Sequence, residues 1–87
     1  MSDENWVLIV DSAVRKALRR FPRRDQEAID AAIMHMRDNP YFGDIQKLKG
    51  EEAWRRRVRS YRVEFRVYQS MRTVLVYKLK RRTSTTY

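Results

Sequence analysis

Residues 54–68, WRRRVRSYRVEFRVY, place six arginines among aromatic and β-branched residues. Side chains alternate along an extended strand, so Arg55, Arg57 and Arg59 are expected to project to one side. Arg62 and Arg66 extend that surface from a neighbouring strand. Guanidinium groups gathered in this way repel one another, and the ligand that relieves the repulsion is a run of phosphates. Cations also guard sheet edges against stray pairing, which accounts for one or two arginines but not for a field of them. Phosphate contacts give affinity without chemistry, so catalysis needs a further reactive group. The terminal stretch KLKRRTSTTY offers one, because Tyr87 follows Arg81 and Arg82 closely. A phenol ordinarily titrates near pH ~10, and surrounding guanidinium groups favour its ionised form. A tyrosine in an arginine field thereby becomes a usable general base, although the same residue also reads as an ordinary chain terminus.

Other chemistries find little support. His35, the single imidazole, stands between Met34 and Met36 on a helical stretch with no second base beside it, and reads as structural or exposed. There is no cysteine, which removes disulfides and thiolate metal sites and suits a reducing compartment. Carboxylates are scarce where the cations are, so no metal and no cofactor is expected.

The net charge of +9 is unevenly distributed: residues 1–50 hold nine Lys/Arg against eight Asp/Glu, and residues 51–87 hold eleven against three. Such a gradient produces a one-sided positive potential that favours polyanions. The N-terminus, Met1 to Asn5, is acidic and polar rather than basic and then apolar, and no apolar run approaches the ~20 residues that span a bilayer. A soluble, cytoplasmic protein of one domain, residues 1–87, is expected.

The elements that must position these residues follow from periodicity. Residues 5–10 form a short apolar run that fits a buried strand. Asp11 and Ser12 offer an N-cap, and Ala13, Val14, Ala17, Leu18 and Phe21 recur at helical spacing, predicting a first helix over 12–21. Pro22 begins a second, whose stripe of Ile29, Ala32, Ile33 and Met36 ends at Asn39 and Pro40. Residues 40–50 read as a loop. Beyond Gly50 the period becomes twofold: Trp54, Arg56 and Val58 oppose Arg55, Arg57 and Arg59, then Val63, Phe65 and Val67 oppose Arg62, Glu64 and Arg66. Residues 69–72 turn the chain into a last strand from Thr73 to Lys80. The expected fold is α+β: an N-terminal strand, a two-helix hairpin and an antiparallel β-meander, βααβββ, with the helices on one face of the sheet.

The order of elements, the NP that closes the second helix, KLKG at Lys47 to Gly50, WRRRVRSYRVEFRVY and the terminal KRRTSTTY together resemble the RelE/ParE toxin superfamily, and its RelE-like branch of mRNA interferases in particular. The resemblance covers nearly the whole chain. It implies the toxin of a type II toxin-antitoxin system: a metal-independent endoribonuclease that cuts mRNA in the decoding site of the small ribosomal subunit and so blocks translation. The cut proceeds by attack of a ribose 2′-hydroxyl on the adjacent phosphate, leaving a 2′,3′-cyclic phosphate. By the same resemblance Tyr87 is the general base, Arg81 the general acid or leaving-group stabiliser and Arg62 a clamp on the transition-state phosphate. Arg55 and Arg57 fall where the family often has lysines. Lys47, Lys49, Arg59, Arg66, Lys80 and Arg82 complete the expected RNA-contacting set. The implied partner is a cognate antitoxin, whose acidic, partly helical segment lies over the basic sheet in a hetero-oligomer.

Three features depart from the family pattern. Arginine stands at 55 and 57 in place of lysine, keeping charge but not geometry. The chain stops at Tyr87, so no following segment holds the phenol. Strict alternation also sets Arg81 on the side of Leu79, so a bulge or the strand's end must redirect it, and Arg82 competes for its role. Two other readings stay open: a ParE-like toxin that poisons DNA gyrase without cutting RNA, and an RNA-binding module whose arginines only dock.

Overall fold

The computed structural model describes residues 5–49 and 52–82. Within them the chain runs β1 (Val7–Val10), α1 (Ser12–Leu18), α2 (Arg23–His35), β2 (Ile45–Lys47), β3 (Ala53–Val58), β4 (Tyr61–Tyr68) and β5 (Thr73–Arg81), with a 3₁₀ turn at Gln69–Met71. The strands form one sheet in the order β1-β5-β4-β3-β2. The fold is α+β with the element order expected, plus one strand. No helix among the described residues is long and apolar enough to cross a membrane.

Local chemistry explains the two helices. Asp11 is extended, and its carboxylate accepts the Ala13 N–H at 3.3 Å, capping α1. That helix stops at Leu18, earlier than its apolar spacing predicts, and Pro22 then leads directly into α2. The side chain of Asn39 accepts the Tyr41 N–H at 3.0 Å beyond the end of α2, and Pro40 is buried there. Ile29, Ala32, Ile33 and Met36 are all buried, as their spacing predicts. Ile29, Ile33 and Met36 meet Tyr61, Val63, Phe65 and Val67 of β4 and Val74 and Val76 of β5 in one core. Each such large side chain contributes about 1.5–3 kcal/mol when fully buried, so β4, flanked on both sides, anchors the sheet.

Two expectations need correction. Residues 40–50 are not only loop, since Ile45–Lys47 pair antiparallel with β3; three residues are too few for alternation to be legible. The first strand is not buried on both sides: β1 lies at an edge, parallel to β5, and Val7 and Ile9 are 55% and 49% exposed. Its unbroken apolar run arises because Leu8 and Val10 pack against the core while Val7 and Ile9 face outward. The sheet is therefore mixed, with its antiparallel part confined to β2 through β5.

Gly43 shapes the approach to β2. Its φ of +94° is a conformation L residues rarely adopt, and a Cβ there would come within 2.8 Å of the Arg56 guanidinium. Gly43→Ala is expected to lose about 1–2 kcal/mol of stability, read as a lower urea midpoint; an unchanged midpoint would show that the turn tolerates a side chain.

Candidate functional site

Strand register assembles the cations. On the sheet face away from the helices, Arg57 of β3 lies directly opposite Arg62 of β4, and Arg62 lies opposite Lys80 of β5. Three positive side chains thus form one row across three strands. Directly paired residues have Cβ atoms about 4.5–5.5 Å apart, and like charges so placed repel. The adjacent row reads Arg55, Glu64, Lys78, and the next Ala53, Arg66, Leu75. At the end of the first row Arg62, Lys80, Arg81 and Arg82 line an open depression of about 280 Å³. The Arg82 N–H donates to the Ser60 carbonyl at 2.7 Å, tying the segment after β5 to the β3-β4 turn.

A β-bulge sets this arrangement. Phe65 pairs with Val76 but Glu64 pairs with Lys78, so Tyr77 is an extra residue in β5. Before the bulge, Val74 and Val76 point to the core; after it, Leu79 does, and Lys78 and Lys80 turn outward. Arg81 falls opposite Tyr61, on the side of Leu79 as alternation requires. Its place at the strand's end leaves it exposed and lets it line the depression. Both candidates for the arginine role, Arg81 and Arg82, reach the same space.

The other expected residues divide. Arg55 donates to the side chain of Gln46, and Arg66 stands over the Tyr77 ring, 5.4 Å from its centroid; both belong to the cationic face. Arg59 does not, contrary to the alternation argument. It sits in the β3-β4 turn at φ 54°, and its Nε pairs with Asp25 at 3.2 Å. The strand has ended by then, so its alternation no longer applies. Lys47 also departs, since its pairing with Trp54 sets it on the helix-facing side, with Nζ 6.0 Å from the indole centroid. Lys49 is exposed just beyond β2, outside the row. Tyr87 lies outside the described residues.

Several participants were not anticipated. Glu64 is buried within the cationic face; its Oε2 lies 3.4 Å from Arg62 Nη1, and its Oε1 accepts the Tyr77 hydroxyl at 3.3 Å. Its place between Arg62 and Arg66 in the alternating pattern was the available signal. Opposite Arg81, the buried Tyr61 donates to Asp25 Oδ2 at 2.8 Å and packs against Phe21 with centroids 4.4 Å apart. Burial pushes the Tyr61 phenol up in pKa, as do its hydrogen bond to Asp25 and the charge of Asp25, with Arg81 and Arg59 opposing. This phenol is held protonated, so it is unsuited to act as a base. His35 packs on Phe42, centroids 4.6 Å apart, away from the depression. Arg56 faces the helices: its Nη1 approaches the Ala32 carbonyl at 3.5 Å, and burial lowers its pKa while Asp44 opposes the shift. Among the described residues no group of three or more His, Asp or Glu side chains could hold a metal ion.

No protein-family model and no curated protein matches the chain. Solved structures do. The archaeal RelE-RelB complex from Pyrococcus horikoshii contains a chain 23% identical that superimposes with a TM-score of 0.82, covering 93% of this chain and 99% of that one. The isolated Escherichia coli RelE toxin is 18% identical with a TM-score of 0.77, covering 92% and 87%. A YoeB/ParE toxin from Agrobacterium tumefaciens is 23% identical with a TM-score of 0.71, covering 86% and 96%. The chain thus shares its fold with these RelE and YoeB/ParE toxin structures.

The Tyr61 clasp carries an expected pH dependence. Its folded-state pKa is raised above the unfolded value, so its stabilisation is complete below about pH 10 and is lost as pH rises through the folded pKa. Urea midpoints measured between neutral and strongly alkaline pH should fall less steeply for Tyr61→Phe than for the parent; parallel curves would mean that the phenol does not couple to folding.

Proposed function

We propose that this chain is the toxin of a toxin-antitoxin pair and acts as a metal-independent endoribonuclease on mRNA in the ribosomal decoding site. The observation that carries this reading is the row Arg57, Arg62, Lys80 running into the depression lined by Arg81 and Arg82. Cross-strand cations held this close by backbone pairing are preorganised for a group whose negative charge grows during reaction, and they need no rearrangement when it does. A phosphodiester passing to its pentacoordinate transition state is such a group. The superfamily fold agrees with this reading, and its solved members include RelE-RelB toxin-antitoxin complexes.

In the proposed reaction the 2′-hydroxyl gives its proton to Tyr87 as the 2′-oxygen bonds to phosphorus. The bond from phosphorus to the 5′-oxygen breaks, and that oxygen takes a proton from Arg81 or a water that it orients, with Arg82 the competitor for the role. Arg62 faces the non-bridging phosphate oxygens, and Arg55 and Arg57 hold the neighbouring backbone and favour the tyrosinate. Arg66, Lys80 and Arg82 extend the RNA track, and Lys49, exposed beyond β2, makes a further RNA contact outside the row. Lys47 and Arg59, turned away from the face, contribute long-range charge only. The protein acts in the cytoplasm as one domain and is silenced in a hetero-oligomer by an antitoxin whose acidic segment covers the cationic face.

Primer extension on a translated message after brief induction tests this. New 5′ ends should appear within the reading frame. Arg62→Ala should lower their rate of formation by about 10²- to 10³-fold, and Arg81→Ala, Arg82→Ala and Tyr87→Phe assign the proton-transfer roles. Parental cutting by both Arg62→Ala and Tyr87→Phe would sink the mechanism. No cutting at all, with loss of gyrase supercoiling on adding purified protein, would favour the ParE-like alternative.

A further inference from the structure

Among the described residues Glu64 is the buried charged residue, at 7% exposure, and it lies in the middle of the face that binds anions in the reading above. Register sets it between Arg55 and Lys78, and along β4 it lies between Arg62 and Arg66. A carboxylate here lowers the attraction of the face for RNA, since it cancels one of the charges that would otherwise displace counterions. Affinity alone therefore gives no reason for it.

Geometry does. Oε2 of Glu64 engages Arg62 through Nη1 at 3.4 Å, while Oε1 is braced by the Tyr77 hydroxyl at 3.3 Å. The bulge makes this brace possible, because the extra residue puts both Tyr77 and Lys78 beside Glu64. A guanidinium presents a planar fork of five N–H donors, and Nε and Nη2 form one edge suited to two oxygens of a single phosphate. Glu64 holds the opposite corner. Without it, a half-exposed arginine between Arg57 and Lys80 would be driven by repulsion away from both.

We propose that Glu64 is a positioning residue: it fixes the Arg62 guanidinium through Nη1 so that the Nε-Nη2 edge faces a phosphate in the depression, and it weakens overall RNA attraction in doing so. This rests on the phosphate-site reading of the row, and it separates two quantities that a purely structural carboxylate would leave together. In the Glu64→Gln protein a mixed-sequence single-stranded RNA oligonucleotide should bind more tightly, with a log-log salt dependence steeper by about 0.7. Cutting of message on programmed ribosomes should slow by about 10- to 100-fold in kcat, with KM equal or lower. Glu64→Asp keeps the charge but loses the reach, so oligonucleotide affinity should stay parental while kcat falls. Nitrogen NMR of the Arg62 side chain supplies a readout independent of cutting: its Nε–H signal should be sharp in the parent and broadened or averaged in both variants.

Parental kcat in Glu64→Gln together with an unaltered Arg62 signal overturns the proposal. An equal fall in affinity and kcat with a lowered urea midpoint also overturns it, since that is the mark of a folding role. If the parent itself cuts no message but the Arg62 signal and the RNA affinity move as expected, the endonuclease reading fails and the positioning role stands.

Discussion

Everything on the outer face depends on β4 being unable to move. Arg57, Arg62 and Lys80 would separate if free, and what opposes their separation lies on the other side of the same strands. Tyr61, Val63, Phe65 and Val67 are buried beneath Arg62, Glu64 and Arg66. Ladder hydrogen bonds on both edges of β4 fix its distance from β3 and β5. The apolar core of a small protein thus holds a charge arrangement that solvent would not tolerate in a flexible segment. The clasp of Tyr61, Asp25 and Arg59 extends the same logic to the strand's start, joining the turn beside the depression to the first turn of α2.

The bulge at Tyr77 is the second determinant. Without the extra residue, the alternation that buries Val74 and Val76 would carry Lys78 and Lys80 toward the helices and Leu79 into water. Burying unpaired ammonium groups costs several kcal/mol each, so the ladder yields locally and resumes with its faces exchanged. The same irregularity gives Glu64 two neighbours on β5 where a regular strand would give one. A single inserted residue therefore returns Lys78 and Lys80 to the cationic face and supplies the hydroxyl that braces the buried carboxylate of Glu64.

How much of this could be read from the residues depends on range. The helical stripes, the α+β class and the alternation of 54–58 and 62–67 are local patterns, and they lead directly to the buried set and to Arg55, Arg57 and Arg62 on one face. Where the strand gives way to a turn, as at Arg59, alternation says nothing, and Arg59 went to Asp25 instead. The pairing that turns Lys47 toward the helices was equally hidden, since a three-residue strand shows no period. The shift from Val74 and Val76 to Leu79 was visible as a change from even to odd positions, yet its effect on Glu64 needed the pairing with β4. Pairwise register, the parallel placement of β1 and the Tyr61-Asp25 bond join residues far apart in the chain, and no local pattern encodes them.

The parallel pairing of β1 with β5 joins Val7 to Thr73 and Val10 to Val76, near opposite ends of the described chain. Such non-local contacts repay their loop-closure entropy only after the intervening segments are in place, which slows acquisition of the native topology. During synthesis the first strand emerges long before its partner exists. Lys80 and Arg81 travel on that same late strand, so the cationic row cannot close until β5 has been made and paired with β4.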